Sequence, residues 1–208
     1  TEGLPFPQPI AYAVHEDRFG RIWGALHRGA VVYRDGPVWQ RWLNDEQRWR
    51  NDEQATMGHA YALAPIGNRV LVAAANGLQT FDDSGNRLEI DPRPGDLRAV
   101  AATGKRVVVA TATSVSERVD NSWQSLTWRR DERESIRGLY AIGQQVLLLT
   151  DRGLWDVTDT GIVPKLSAKD ATSLAVDRQG RWWLAAERLW EVEQNQGQLK
   201  VTVRGESL

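Results

Sequence analysis

Histidines at positions 15, 27 and 59 are the only imidazoles in the chain. No two of them share a spacing such as His-x-x-x-His, which would aim a pair at one metal ion. Cysteine is absent, which removes disulfides, thiolate nucleophiles and thiolate-bound metals. No Gly-x-Ser-x-Gly elbow, phosphate loop or dinucleotide fingerprint occurs. No pair of carboxylates stands out for glycoside hydrolysis, although 27 acidic residues leave open a pair formed in three dimensions. Asp17 and Asp177 each begin an Asp-x-x-Gly turn. A short carboxylate there accepts backbone N–H bonds and closes the turn, which is a structural task. Residues 82–86, Asp-Asp-Ser-Gly-Asn, look like half of a calcium loop but lack its terminal Glu ligand. The expectation is a protein without catalytic residues, metal or cofactor.

Binding chemistry is better represented. Tyr12, Tyr61, Arg98 and Arg137 each stand one residue before a small side chain in successive copies of a repeat, as does Thr172. Two phenols and two guanidiniums at one level suit an anionic or sugar-like ligand, held by stacking and bidentate hydrogen bonds. The competing reading packs the same side chains between neighbouring sheets. Ten tryptophans form a second resource. Trp23, Trp155, Trp182, Trp183 and Trp190 fall on second and third strands and read as core. Trp39, Trp42, Trp49, Trp123 and Trp128 are interleaved with Arg and Gln, the composition of partner hot spots and stacking sites. Trp42 and Trp49 lie seven apart within a direct duplication, RWLNDEQ-RWRNDEQ, at 41–54. A helix there would carry both on one face; the alternative is an extended loop at the rim.

The elements that position these residues recur five times. The copies run over 10–36, 60–85, 97–121, 136–161 and 171–197. In each, an apolar strand leads through a tight turn to a wholly apolar second strand. A third strand follows, opened mostly by Gly or Arg. The second strands read RIWGA, RVLVA, RVVVA, QVLLLT and RWWLA. Continuous apolar runs of that length are strands covered on both faces. The first strands carry a small residue at one repeated place, Ala13, Ala62, Ala99, Gly138 and Ser173, spaced by 49, 37, 39 and 35 residues. Outer fourth strands are more polar: VWQRW (38–42), RLEID (87–91), WQSLTW (123–128), IVPKLS (162–167) and QLKVTVRG (198–205). A strand-built repeat of roughly 35–50 residues points to an all-β propeller of about five four-stranded blades. As one domain over 1–208, the blades span about 10–59, 60–96, 97–135, 136–170 and 171–208, with an insertion at 41–54.

Composition agrees with a globular β domain. The chain is 41% hydrophobic and 25% charged, with a formal net charge of −1. That balance offers no basic surplus for nucleic acid. No apolar run approaches the roughly 20 residues that cross a bilayer as a helix. Residue 1 is not Met and no signal-peptide pattern opens the chain, as expected of a mature chain or an excised segment. The closing RGESL echoes the opening TEGL. Either the chain is part of a larger propeller, or five blades close with the first segment pairing onto the last.

Residues 1–36 resemble the two-component regulator propeller repeat. The resemblance rests on Gly3, Leu4 and Pro5, then Asp17, Gly20, Ile22 and Trp23, then Gly29 and Tyr33. The fifth copy repeats it with Asp177, Gly180, Trp182, Trp183 and Leu189, while copies two to four keep only the strand pattern. The resemblance implies a bacterial sensory ectodomain on the periplasmic or extracellular face of the inner membrane, ahead of a histidine kinase or cyclase output domain. The expected function is non-enzymatic sensing of a small ligand or protein partner, with a homodimer among the open arrangements. A protein-interaction scaffold acting through 39–54 is the alternative. A propeller lyase or hydrolase is the third, resting on His59, Asp96 and Asp170 in loops between copies.

Overall fold

The computed structural model describes residues 11–16, 20–26, 31–35, 38–42, 59–82, 87–92, 95–104, 106–195 and 198–204. All regular structure among them is strand. Sheet 1 holds β1 (Ala11–Glu16), β2 (Ile22–Leu26), β3 (Val31–Asp35) and β4 (Val38–Trp42). Sheet 2 holds β5 (Ala60–Ile66), β6 (Arg69–Ala74), β7 (Gly77–Asp82) and β8 (Arg87–Asp91). Sheet 3 holds β9 (Ala99–Thr103), β10 (Arg106–Ala110), β11 (Val115–Val119) and β12 (Ser122–Ser125). Sheet 4 holds β13 (Ile136–Ile142), β14 (Gln145–Thr150), β15 (Gly153–Thr158) and β16 (Gly161–Ser167). Sheet 5 holds β17 (Ser173–Val176), β18 (Trp182–Ala185), β19 (Leu189–Asn195) and β20 (Gln198–Arg204). Each is a four-stranded meander in chain order. The chain packs as two compact units, Thr1–Ala102 and Thr103–Leu208, each described by itself below.

The central strands explain why sheets of this size are stable. In β14, Val146 to Thr150 are all buried, although successive side chains leave opposite faces of the sheet. One sheet cannot cover both of its own faces, so another layer must lie on each. In unit one, Trp23 and Ala25 of sheet 1 pack on Ala60, Val70, Val72 and Phe81 of sheet 2. In unit two, Leu147, Leu149 and Leu154 of sheet 4 pack on Leu174, Trp182, Leu184 and Val192 of sheet 5. Each such Leu or Val, fully removed from water, stabilises the fold by about 1.5–3 kcal/mol.

Several wall-facing polar groups are paired across or along the sheets. Arg106 Nε and Nη2 donate to Glu117 Oε1 and Oε2 at 2.7 and 2.9 Å, and Nη1 donates to the Val157 carbonyl of sheet 4 at 3.2 Å. Lys165 Nζ donates to Asp156 at 3.1 Å. Buried Glu191 accepts from Arg181 at 3.1 Å and from Arg204 at 2.7 Å. A buried carboxylate loses its hydration, and a bonded cation offsets that loss.

One outer strand is shorter than its composition suggests, and two carry irregularities. β12 ends at Ser125, short of the expected 128, and Trp128 instead makes an isolated parallel bridge with Ile162. β8 carries a bulge at Leu88, and β16 holds Pro164, two devices that blunt a free edge.

The Gly-Leu pairs that open β7 and β15 have a steric cause. Gly77 and Gly153 adopt φ of +118° and +139°, and a Cβ there would lie 2.1 Å from the Asp91 carbonyl oxygen and 2.0 Å from that of Leu166. Gly143, at φ +61°, has no atom within 4 Å of the same position. Gly143→Ala should therefore cost about 1–2 kcal/mol, the left-handed backbone term alone. Gly153→Ala should cost about 3 kcal/mol or more, since backbone atoms must also move. Urea unfolding midpoints of the two variants check this order, and equal losses would contradict it.

Candidate functional site

The residues that precede the small anchors are presented by bulges. On sheet 1 the register passes from Ala11↔Leu26 to Ala13↔Ala25, leaving Tyr12 as the extra residue. On sheet 2 it passes from Ala60↔Ala74 to Ala62↔Ala73, leaving Tyr61. On sheet 4 it passes from Ile136↔Thr150 to Gly138↔Leu149, leaving Arg137. An extra residue facing one partner leaves the strand's alternation and turns its side chain away from the ladder. Tyr12, Tyr61 and Arg137 are therefore set by backbone geometry outside the packed faces.

In unit one this geometry gathers a cluster. The rings of Tyr12 and Tyr61 lie 5.4 Å apart at 51°. His59 joins them, 5.8 Å from Tyr61 and 6.2 Å from Tyr12. The Arg98 guanidinium sits 4.1 Å over the Tyr61 ring, and its Nη2 donates to Asp96 Oδ2 at 2.7 Å. Arg98 and Asp96 are 44% and 49% exposed, so both charges remain in reach of a solute. Partial burial raises the Tyr61 hydroxyl above the usual phenol range, outweighing the Arg98 guanidinium, which favours the phenolate. The phenol is accordingly a neutral donor and acceptor at ordinary pH. The arrangement offers aromatic faces for stacking, one guanidinium fork and one carboxylate, with the two charges balanced.

The structure thus joins Tyr12, Tyr61 and Arg98 and adds His59 and Asp96, which spacing alone leaves in separate loops. Arg137 lies exposed on β13 in unit two. Asp170, also in unit two, is exposed with φ +54° and faces Lys169 Nζ at 3.7 Å. The Trp42 backbone closes β4 opposite Val31, but its side chain lies outside the described residues. So do Asp17 and Trp49, the latter with residues 43–54 of the duplication.

Two polar centres in unit two have structural roles. Asp177 Oδ1 accepts from the Gln179 and Arg181 backbone N–H groups at 2.9 and 3.0 Å. Its Oδ2 accepts from Arg181 Nε at 2.7 Å and from Trp183 Nε1 at 3.1 Å. Trp183, expected in the core, is partly exposed, because Trp182 takes the inward side and its neighbour must point the other way. Trp155 and Trp190 are likewise only partly buried. The second centre is one that sequence reasoning misses. Glu134 is buried, and its Oε1 accepts from the Thr150 hydroxyl and from Trp155 Nε1 at 2.8 Å. It sits in the charged run RRDERES, where composition predicts only solvated side chains.

No protein-family model and no curated protein matches this chain. Solved structures do. The extracellular domain of a hybrid two-component system from B. thetaiotaomicron superposes with a TM-score of 0.61 at 15% identity, over 99% of this chain and 35% of that one. Virginiamycin B lyase from Staphylococcus aureus gives 0.71 at 10% identity, over 96% and 71%. The Cps50 (Swd1) β-propeller domain of Myceliophteria thermophila gives 0.66 at 12% identity, over 95% and 73%. This chain spans about a third of the two-component ectodomain. Likeness at such identities shows the fold alone. Five meanders of four strands and these neighbours define a β-propeller.

The Asp177 turn makes a pH prediction. Partial burial works to raise this carboxyl, but the Trp183 indole N–H, the Arg181 backbone and guanidinium, and the Gln179 N–H outweigh it and hold it at about 2, below the ordinary 3.8. A carboxyl depressed in the folded state adds stability that is complete above its unfolded value and disappears as pH falls toward its folded one. The melting-temperature gap between wild type and Asp177→Asn should therefore be widest near neutral pH and close between about pH 4 and pH 2. A gap independent of pH would refute the charged role.

Proposed function

We propose that this propeller is a non-enzymatic ligand-sensing domain of a bacterial membrane signalling protein, lying outside the inner membrane. The observation that carries the reading is the cluster of bulge-presented Tyr12 and Tyr61 with Arg98, His59 and Asp96. Likeness to the extracellular domain of a two-component system supports the extracytoplasmic setting. The cluster is built for contact rather than turnover. Its two charged groups are bonded to each other, and its phenols stack.

The ligand in this reading is sugar-like or anionic. A sugar lays a C–H face on Tyr12 and bridges the Arg98–Asp96 pair with hydroxyls; an anion draws on the Arg98 fork. Its contacts span β1, β5 and the segment before β9, so binding ties together elements far apart in the sequence. Signal output then requires that two arrangements of the parent protein bind the ligand with different affinity.

A thermal-shift screen of mono- and disaccharides and of small carboxylic acids tests this. A specific ligand at a hundredfold its Kd should stabilise the domain by about 2.7 kcal/mol. Arg98→Ala and Tyr61→Ala should abolish that shift and leave the ligand-free melting temperature of the exposed Arg98 variant nearly unchanged. Absence of any stabilising compound, or an equal shift in both variants, would defeat the reading.

A further inference from the structure

The two charges of the cluster in unit one are fixed as a pair by the residue between them. Leu97 is fully buried, and its backbone N–H donates to the Ala74 carbonyl at 3.0 Å. Its neighbours Asp96 and Arg98 stay exposed and close on each other, Arg98 Nη2 donating to Asp96 Oδ2 at 2.7 Å. The Tyr61 ring holds the guanidinium from a second side, 4.1 Å from its Cζ. All of these residues belong to the unit Thr1–Ala102, so the geometry of the pair is internal to it.

That geometry treats charged and uncharged ligands differently. A guanidinium grips a carboxylate through two N–H groups on one edge. Nη2 contributes to both such edges, and one of its hydrogens is already engaged by Asp96. An incoming anion therefore finds one open edge, with a negative charge beside it. Attraction and repulsion by unit charges at similar distances nearly cancel. Hydroxyl groups meet no such opposition. One hydroxyl donates to the Asp96 carboxylate while its neighbour accepts from Arg98, so a vicinal diol is matched at both ends. Tyr12, 5.4 Å from Tyr61, adds an aromatic face for the C–H groups of the same molecule.

The pair is not a requirement of the repeat. Two residues before Tyr12, Tyr61, Arg137 and Thr172 stand Ile10, His59, Ser135 and Asp170. Among the five copies, a carboxylate and an arginine meet at these two positions in the third alone. Arg137, on β13 in unit two, is exposed with a serine where Arg98 has an acid.

Resting on the ligand-sensing reading of this cluster, we propose that Asp96 is its specificity-determining residue. By neutralising Arg98 it restricts the site to uncharged, hydroxyl-rich ligands and turns away carboxylates of the same shape. Of the two ligand classes that the aromatic rings and the guanidinium admit, the uncharged one is the occupant.

Paired probes test this. Glucose with glucuronate and galactose with galacturonate differ only in a hydroxymethyl group or a carboxylate on the same ring. Titration calorimetry and saturation-transfer NMR on the full chain should show the wild type binding a hexose about tenfold or more tighter than its uronate. The preference should be larger at low salt, since it comes from charge. Asp96→Asn removes the negative charge and keeps the shape, and it should erase or reverse the preference. Asp96 is exposed, so this variant should keep the wild-type melting temperature. Asp96→Ser, the residue type that precedes Arg137, replaces it if it fails to fold. A wild type that prefers the uronate, or a preference unchanged in the Asp96 variant or by salt, overturns the inference and leaves the ligand-sensing reading standing. Wild type that binds no member of either pair, nor any other compound of the saccharide and acid screen, defeats both.

Discussion

A strand that is apolar on both faces sets the terms for the whole structure. Leu147, Leu148 and Leu149 are consecutive and fully buried, so their side chains leave opposite faces of one sheet and neither face meets water. Hydrogen bonds along the ladder satisfy the backbone but do nothing for those faces. Only a second sheet on each side does. The polar pairs obey the same demand. Glu117 and Glu191 are themselves buried and have charged partners, and Arg106 Nη1 donates to a carbonyl of the next sheet. Buried Glu134 differs from these two in accepting from neutral donors, Thr150 and Trp155.

That constraint explains why the central strands were legible. RVVVA and QVLLLT coincide with β10 and β14 to the residue, because double-sided burial leaves an unbroken apolar run in the sequence. The outer strands obey a weaker rule. One side of β12 is half solvated, so WQSLTW reads as a six-residue strand. The ladder stops at Ser125, and Trp128 pairs with Ile162 of the next sheet instead. Local composition cannot distinguish continuing a ladder from leaving it, since both place an aromatic residue on a partly dry surface.

Trp183 shows a second limit. Two adjacent tryptophans on a central strand satisfy any count of apolar content. Alternation sends them to opposite faces, and each face has its own cover. Trp182 meets Leu147 and Leu149, whereas Trp183 meets the Asp177 carboxylate and the Arg181 guanidinium, 5.5 Å from its ring. The sequence specifies which side each points to. Whether that side is covered depends on a neighbouring sheet, and a neighbour is not written in the strand itself.

The candidate site was legible in position and not in mechanism. Reading the residue before each small anchor singles out Tyr12, Tyr61, Arg98 and Arg137 because the repeats can be laid over one another. A bulge is invisible to that reading, since one extra residue shifts the period-two pattern without changing its composition. Three sheets bulge at this register, beside Ala13, Ala62 and Gly138. In sheet 3 the corresponding Arg98 stands just before β9, and in sheet 5 Thr172 N–H bonds the Ala185 carbonyl. The bulge therefore repeats in three sheets while the side chain it presents varies between Tyr and Arg. A scaffold whose packing tolerates any side chain at one level, because the bulge turns it out of the packed faces, can vary its binding chemistry there without disturbing the walls.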